Sequence, residues 1–448
     1  MARSVIAAVL LCGCFHAPAY SPQRSVATWR EMQANTPEPG SPTQGQGASD
    51  ALTAAQAYEF ALRHNPELAI AEAEAEVAAA EVGAAKQIEN PQLRLTNFGV
   101  DDAVRGTPGL NMALRAPIPR PGTVRARVQG ARLAAEGAQG QTEAARRLLR
   151  ADIDRLYARL AMLHADLEEV TRAATLGDER QQQIRDRVER AVSTRVDLAL
   201  VGLARAEAAD EAGRLRDELA TTEAELARVI GPGAPRKYQV DPAVLRVADV
   251  ELDHDALTER ALRSRPELRA TQARVGAASA AVYLERSKAW PWLSWAQVGY
   301  GIGSVANTSA NMTATQVPVS FGLALDLPIF SWNRGEIRVA RAVQRQRELE
   351  ERAGVANVAS EVDEALARVE RATARITEIE TDLLPAVDEA VREAEAALAA
   401  GALDPVTASE VAARQVAARR LHLAALYERR EAIISLEAAV GGSLAPRR

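Results

Sequence analysis

The chain is expected to be mainly α-helical with a small β part, built as two tandem copies of one structural unit, and three observations lead there. The first is the stretch QVPVSFGLALDLPIFSWNRGEIRVARA over 316–342. From Val317 to Leu327 every second residue is large and apolar, with Ser320, Gly322, Ala324 and Asp326 between, which is the period of a strand with one face suited to lipid and one to water. Pro328 ends that ladder, a Trp332-Asn333-Arg334-Gly335 turn follows, and a charged, Ala-rich helical pattern then continues without a stop signal. The second observation is an internal repeat. Asn65-Pro66-Glu67-Leu68 returns as Arg265-Pro266-Glu267-Leu268, Asn90-Pro91-Gln92-Leu93 as Trp290-Pro291-Trp292-Leu293, and Ala116-Pro117-Ile118 as Leu327-Pro328-Ile329, in the same order. The third is composition: 47% hydrophobic but only 4% aromatic residues, with alanine the chief contributor, favours close-packed long helices over a thick globular core.

Taken in order, residues 1–13 read as a lipoprotein signal peptide, with Arg3, a short apolar run from Val5 to Leu11, and Gly13 before Cys14. Cleavage there leaves Cys14 as the first residue and the lipidation site, and with two cysteines in the chain no intramolecular disulfide survives. Residues 14–50, rich in Pro, Gly, Ser, Thr and Gln, are expected to form an extended tether. The first repeat spans 51–250, the second 251–442, and 443–448 form a tail. Each repeat reads helix, strand, strand, long helix, reversal, helix. In the first, a helix is expected over 52–89, strands over 92–100 and 110–118, and a rod over 123–192, roughly 100 Å long at the helical rise. Leu149, Ile153, Leu156, Leu160, Leu163, Leu167 and Val170 alternate steps of four and three along that rod, the heptad signature of a helix with a packed neighbour. In the second, the third strand is expected over 292–301, the fourth over 317–327, and the rod over 335–400 with Val355, Val358, Val362, Leu366 and Val369 on its seam. Pro385 and Gly177 are expected to bend the two rods at nearly the same level. Trp290, Trp292, Trp295 and Trp332 fall at strand ends, where amphipathic rings settle at a membrane interface.

Catalytic chemistry is not indicated. The five histidines, at 16, 64, 164, 254 and 422, lack a second His or Cys at ligand spacing, so no metal site is expected. Gly299-x-Gly301-x-Gly303 follows no strand of a βαβ unit and no phosphate loop occurs, so no cofactor is expected either. The net charge of -6 and the lack of a basic, aromatic-interleaved patch argue against nucleic acid.

The run Phe321-Gly322-Leu323-Ala324-Leu325-Asp326-Leu327-Pro328-Ile329-Phe330 resembles the fourth-strand motif of the TolC family of outer-membrane efflux proteins, and the resemblance covers nearly all of the chain after the tether. It implies a passive exit duct: a homotrimer whose chains each give four strands to a 12-stranded β-barrel in outer-membrane lipid and long helices to an α-barrel tunnel. The partners it implies are a periplasmic adaptor and an inner-membrane pump of the resistance-nodulation-division type. The helix reversals then become the tip, with Thr194, Arg195, Val196, Leu198, Asp404, Pro405 and Val406 as adaptor contacts. Val196-Asp197-Leu198 sits where Val406-Thr407-Ala408 sits in the second copy; the resemblance further implies that Asp197 and Glu410 match acidic gate positions, while Thr407 occupies a third that is acidic in the family. The alternative for Asp197 and Asp404 is that they cap helix N-termini. Asn90-Pro91-x-Leu93, Asn97-Phe98-Gly99 and the passage from Ala116-Pro117-Ile118 to Arg125-Ala126-Arg127 resemble the branch that pairs with heavy-metal cation pumps, although Pro119 and Pro121-Gly122-Thr123 depart from it. The other readings are a structural coiled-coil envelope lipoprotein and an export duct for drugs or a type I secreted protein.

Overall fold

The computed structural model describes residues 22–34, 51–96, 110–235, 237–247, 252–302 and 319–444. The signal peptide, Cys14, Asn97-Phe98-Gly99, Gly303 and most of the tether and tail lie outside these residues. Within the tether one segment differs from expectation: α1, Pro22–Ala34, is helical, opening with proline at its first position.

The first expected helix is two helices, α2 (Ala54–His64) and α3 (Pro66–Lys86). Pro66 has no N–H to continue the ladder, and Asn65 before it is extended and caps α3 by accepting from Leu68 N. The same break separates α6 (His254–Ser264) from α7 (Pro266–Ser287) at Arg265. Both breaks serve a second purpose. Asn65 donates Nδ2 to the carbonyl of Val229, and Arg265 donates Nε to the carbonyl of Ala439, so each break receives the carboxyl end of its repeat's last helix. Those helices are α5 (Arg195–Ile230) and α10 (Pro405–Val440), ending at Gly231 and Gly441, both with positive φ.

The rod α4 (Thr123–Glu189) runs unbroken through Gly177, so the expected bend there is not accompanied by a break. A single glycine costs a helix only about 1 kcal/mol and removes no hydrogen bond. The second rod does change, into α8 (Arg334–Glu378), a π-turn over Ile379–Leu383 and α9 (Leu384–Ala399). Pro385 cannot donate to the preceding turn, and widening that turn relieves the clash. Six of the seven heptad residues of α4 belong with Leu226 and Ile230 of α5 in one core, with Leu149 and Val170 at its ends and only Leu167 partly exposed. Val362 and Val369 of α8 meet Leu436 and Val440 of α10 in the second, whereas Val355 is exposed. A third, of Ala151, Ala158 and Ala161 with Ile376, Ile379 and Ala425, joins the repeats. Small residues let α4 and α7 approach closely: a Cβ on Gly140 would lie 2.9 Å from the carbonyl of Pro266.

Four strands, β1 (Gln92–Thr96), β2 (Leu110–Pro117), β3 (Trp292–Ile302) and β4 (Val319–Asp326), form one antiparallel sheet in the order β1-β2-β3-β4. Every strand end that adjoins a long helix lies at the same end of the sheet. The helices therefore continue the sheet as a wall. Next to the sheet the packing order is α3, α4, α7, α8; beyond the midpoint α5 and α10 replace α3 and α7, giving α5, α4, α10, then α8 and α9.

Candidate functional site

The two ends of this wall carry the groups that matter. At the sheet end, register separates two faces. Leu93, Leu114, Val298, Phe321, Leu323 and Leu325 share one, with Phe321 81% exposed, and apolar groups this open to solvent require another apolar phase. Gln92, Arg94, Arg115, Trp295, Gln297 and Ser320 share the other. The aromatic residues expected at an interface divide accordingly. Trp290 and Trp332 are exposed beside the sheet end, with Phe330 almost wholly bare. Trp292 donates Nε1 to the carbonyl of Ile118 at 2.8 Å, tying β3 to the end of β2. Trp295 departs from expectation. A bulge between Leu293 and Trp295 resets the alternation, so Trp295 stands on the polar face with the Arg115 guanidinium 4.0 Å above its ring.

Here the strands pass into the rods through tight turns. Arg120 donates Nη1 to the carbonyls of Ser287 and Trp290, and its Nη2 lies 3.7 Å from Asp326. Asn333, left-handed at φ 49°, donates Nδ2 to Glu285 and so pins the start of α8 against the end of α7.

At the far end are two reversals, between α4 and α5 and between α9 and α10. Asp197 occupies the third position of α5 and forms a capping box with Thr194: Thr194 N donates to Asp197 Oδ2 at 2.7 Å, and Asp197 N to Thr194 Oγ1 at 3.1 Å. One oxygen of the carboxylate thus serves the capping alternative. Asp404 caps α10, accepting from Val406 N and Thr407 N, with Pro405 at the first helical position. Arg195, Val196 and Glu410 are exposed and Leu198 half-buried. Among the described residues nothing joins Asp197 to Glu410 within one chain.

Two features of this end escaped the sequence reading. Val196, Leu200 and Leu203 of α5 are exposed at steps of four and three, a spacing legible as an unpartnered seam, and Val192 is exposed in the reversal before them. Higher up, Arg420 of α10 reaches both Asp166 of α4, at 2.6 and 2.9 Å, and Glu211 of α5, at 2.6 Å. The Asp166 carboxylate, more than Glu211, holds the Arg420 guanidinium above its already high pKa.

The family model for outer membrane efflux proteins matches the chain twice, over 57–232 and 257–442. The chain belongs to the outer membrane efflux protein family. That family is one of channels, and its two matches fall on the two structural repeats. A search of the curated proteins finds no match. Among solved structures this efflux protein is similar to CusC, with a TM-score of 0.72 and 18% identity over 90% of this chain and 96% of that one. It is also similar to the outer membrane protein VceC of Vibrio cholerae, with a TM-score of 0.70 and 18% identity over 87% and 96% of the two chains. The open state of the MtrE outer membrane channel of Neisseria gonorrhoeae gives 0.69 and 18%, over 87% and 89%. At such identity these likenesses speak for the fold. Among the described residues no helix is long and apolar enough to cross a membrane.

Proposed function

We propose that three copies of this efflux protein close into one duct, a strand barrel in the outer membrane continued by a helical tunnel, through which solutes delivered by an inner-membrane pump and a periplasmic adaptor leave the cell. The observation that carries this is that the wall has open edges at every level. The sheet ends on β1 and β4 with unpaired backbone groups on strands whose one face is apolar, and such edges in lipid cost several kcal/mol per group. Four strands cannot close, since single-layer barrels start at about eight. The edge helices match this: α3 exposes Ile70 and Val77, and α8 exposes Val339, Val343 and Leu349. Joining the β4 and α8 edge of one chain to the β1 and α3 edge of the next is a heterologous contact that must close as a ring. Two chains give a barrel filled by its own side chains; three give twelve strands and room for a lumen.

The tip supports the finer reading. The exposed Val196, Leu200 and Leu203 seam of α5 suits a helical partner, either the neighbouring chain or the hairpin of an adaptor, with Thr194, Arg195, Leu198, Asp404, Pro405 and Val406 beside it. Asp197 keeps one carboxylate oxygen outside its capping bonds, and Glu410 is exposed, so threefold symmetry gathers six carboxylates at the narrow end beside Thr407. The pump is proposed to be of the resistance-nodulation-division type. Acylated Cys14 would hold the amino terminus at the inner leaflet while the barrel forms. The branch resemblance offers metal cations as cargo, and among the described residues no group of His, Cys, Asp and Glu is gathered to hold a metal.

Purified protein in a planar bilayer tests the duct. Discrete conductance is expected, and a salt-gradient reversal potential that shifts away from cations in Asp197→Ala with Glu410→Ala. A bilayer that stays silent would leave the structural lipoprotein as the better reading. Palmitate labelling that persists in Cys14→Ser would remove the anchor.

A further inference from the structure

The polar face of the sheet has a sign of its own. In the ladder, Gln92, Arg115, Gln297 and Gly322 form one row and Arg94, Ala113, Gly299 and Ser320 the next. Neither row contains a carboxylate. Arg94 and Arg115 are diagonal neighbours across β1 and β2, about 7–8 Å apart at their backbones by the geometry of antiparallel pairs. Arg115 is held over the Trp295 ring, whereas Arg94 is exposed and makes no ion pair or hydrogen bond among the described residues. Asp326 belongs to the helix end of the sheet and lies opposite Arg120, 3.7 Å away, so it balances that arginine, and among the described residues no carboxylate pairs with the other two. Two guanidinium groups at this spacing repel one another in a chain whose net charge is -6, and an anion between them removes that cost.

We infer that Arg94 and Arg115 line a basic annulus inside the strand end of the duct, six guanidinium groups in three copies, and that the annulus selects anionic small molecules as cargo. This rests on the duct reading, which turns the apolar face to lipid and the polar face to water. Rings of arginine favour anions as rings of carboxylate favour cations, so the throat opposes in sign what the tip is proposed to be. A free metal cation, the cargo that the branch resemblance implies, meets repulsion at this level. Screening sets the reach of the effect: at about 0.15 M salt the Debye length is about 8 Å and only solutes near the wall feel it, while at about 0.01 M it is about 30 Å and the field fills the throat.

The test uses the full chain in planar bilayers at low salt, with inorganic tripolyphosphate added to the barrel-mouth side, away from the tip. Voltage-dependent block of the current is expected in the wild type. Arg94→Gln with Arg115→Gln should raise the blocking concentration by roughly tenfold or more, as loss of the attracting charge requires. Arg94→Gln alone should give part of the shift and Arg94→Lys none, and because Arg94 is exposed and has no partner among the described residues these single variants keep the test open if the double variant assembles poorly. A wild type that tripolyphosphate does not block, or equal block in wild type and Arg94→Gln, would overturn the annulus while leaving the duct intact. Absence of conductance in the wild type would instead overturn the duct, and the annulus with it.

Discussion

Replacing Arg420 by Met should loosen the lower half of the wall, because that one side chain ties the second repeat to both helices of the first. Arg420 is 32% exposed, Asp166 11% and Glu211 25%. Breaking a fully buried pair costs about 3–5 kcal/mol and an exposed one about 0–1, so this half-buried network should contribute roughly 2 kcal/mol, chiefly through the carboxylate left at Asp166. At 1.36 kcal/mol per factor of ten, that is about a 30-fold rise in local opening. Amide hydrogen exchange of the assembled protein reads it directly: α10 around residue 420 and the facing turns of α4 and α5 should exchange about 30-fold faster, with the sheet-end half unchanged. Adding Asp166→Leu to Arg420→Met should recover part of the protection, since the stranded charge goes with it. Protection that changes by less than about twofold in the single variant would refute the reasoning, since it would mean that apolar contacts alone hold α10 against α4.

Three further outcomes follow from the geometry. Gly231→Ala should lower the yield of folded protein and its stability by more than about 1 kcal/mol, because Gly231 sits at φ 113° and a Cβ would overlap the His64 carbonyl; thermal unfolding of detergent-purified protein checks it. Asp404→Ala should cost α10 about 1 kcal/mol through loss of its N-cap, read as faster amide exchange over its first turn with single-channel conductance unchanged. His254 should titrate above 6.5 by NMR, because its ring is hydrogen-bonded to Asp255 and then to Asp363. A raised pKa means that this link between α6 and α8 is fully present below the unfolded value and fades as pH rises through the folded one, and a midpoint at or below 6.5 would contradict it.

Much of this architecture was legible because the repeat and the strand period are local. The heptad of α4 and the Leu-Pro end of β4 are written in consecutive residues. What escaped reading depends on distance or on register. The Asn65-Pro66 break was read through as continuous helix because alanine-rich periodicity persists on both sides, although the proline itself marks the stop. Trp295 was expected at a membrane interface but stands on the polar face because one bulged residue resets the alternation, and a single strand's sequence does not say where a bulge falls. Arg420 and Asp166 are 254 positions apart, so nothing local pairs them. The basic throat needed the register that sets Arg94 and Arg115 diagonal to one another.

In the proposed duct one chain is a third of a closed wall, its open sheet edges and exposed edge helices satisfied by copies of itself. Native mass spectrometry of protein released from outer membranes in mild detergent tests this most directly. A single species of three chains is expected, whereas a stable monomer or dimer that still conducts in bilayers would contradict it.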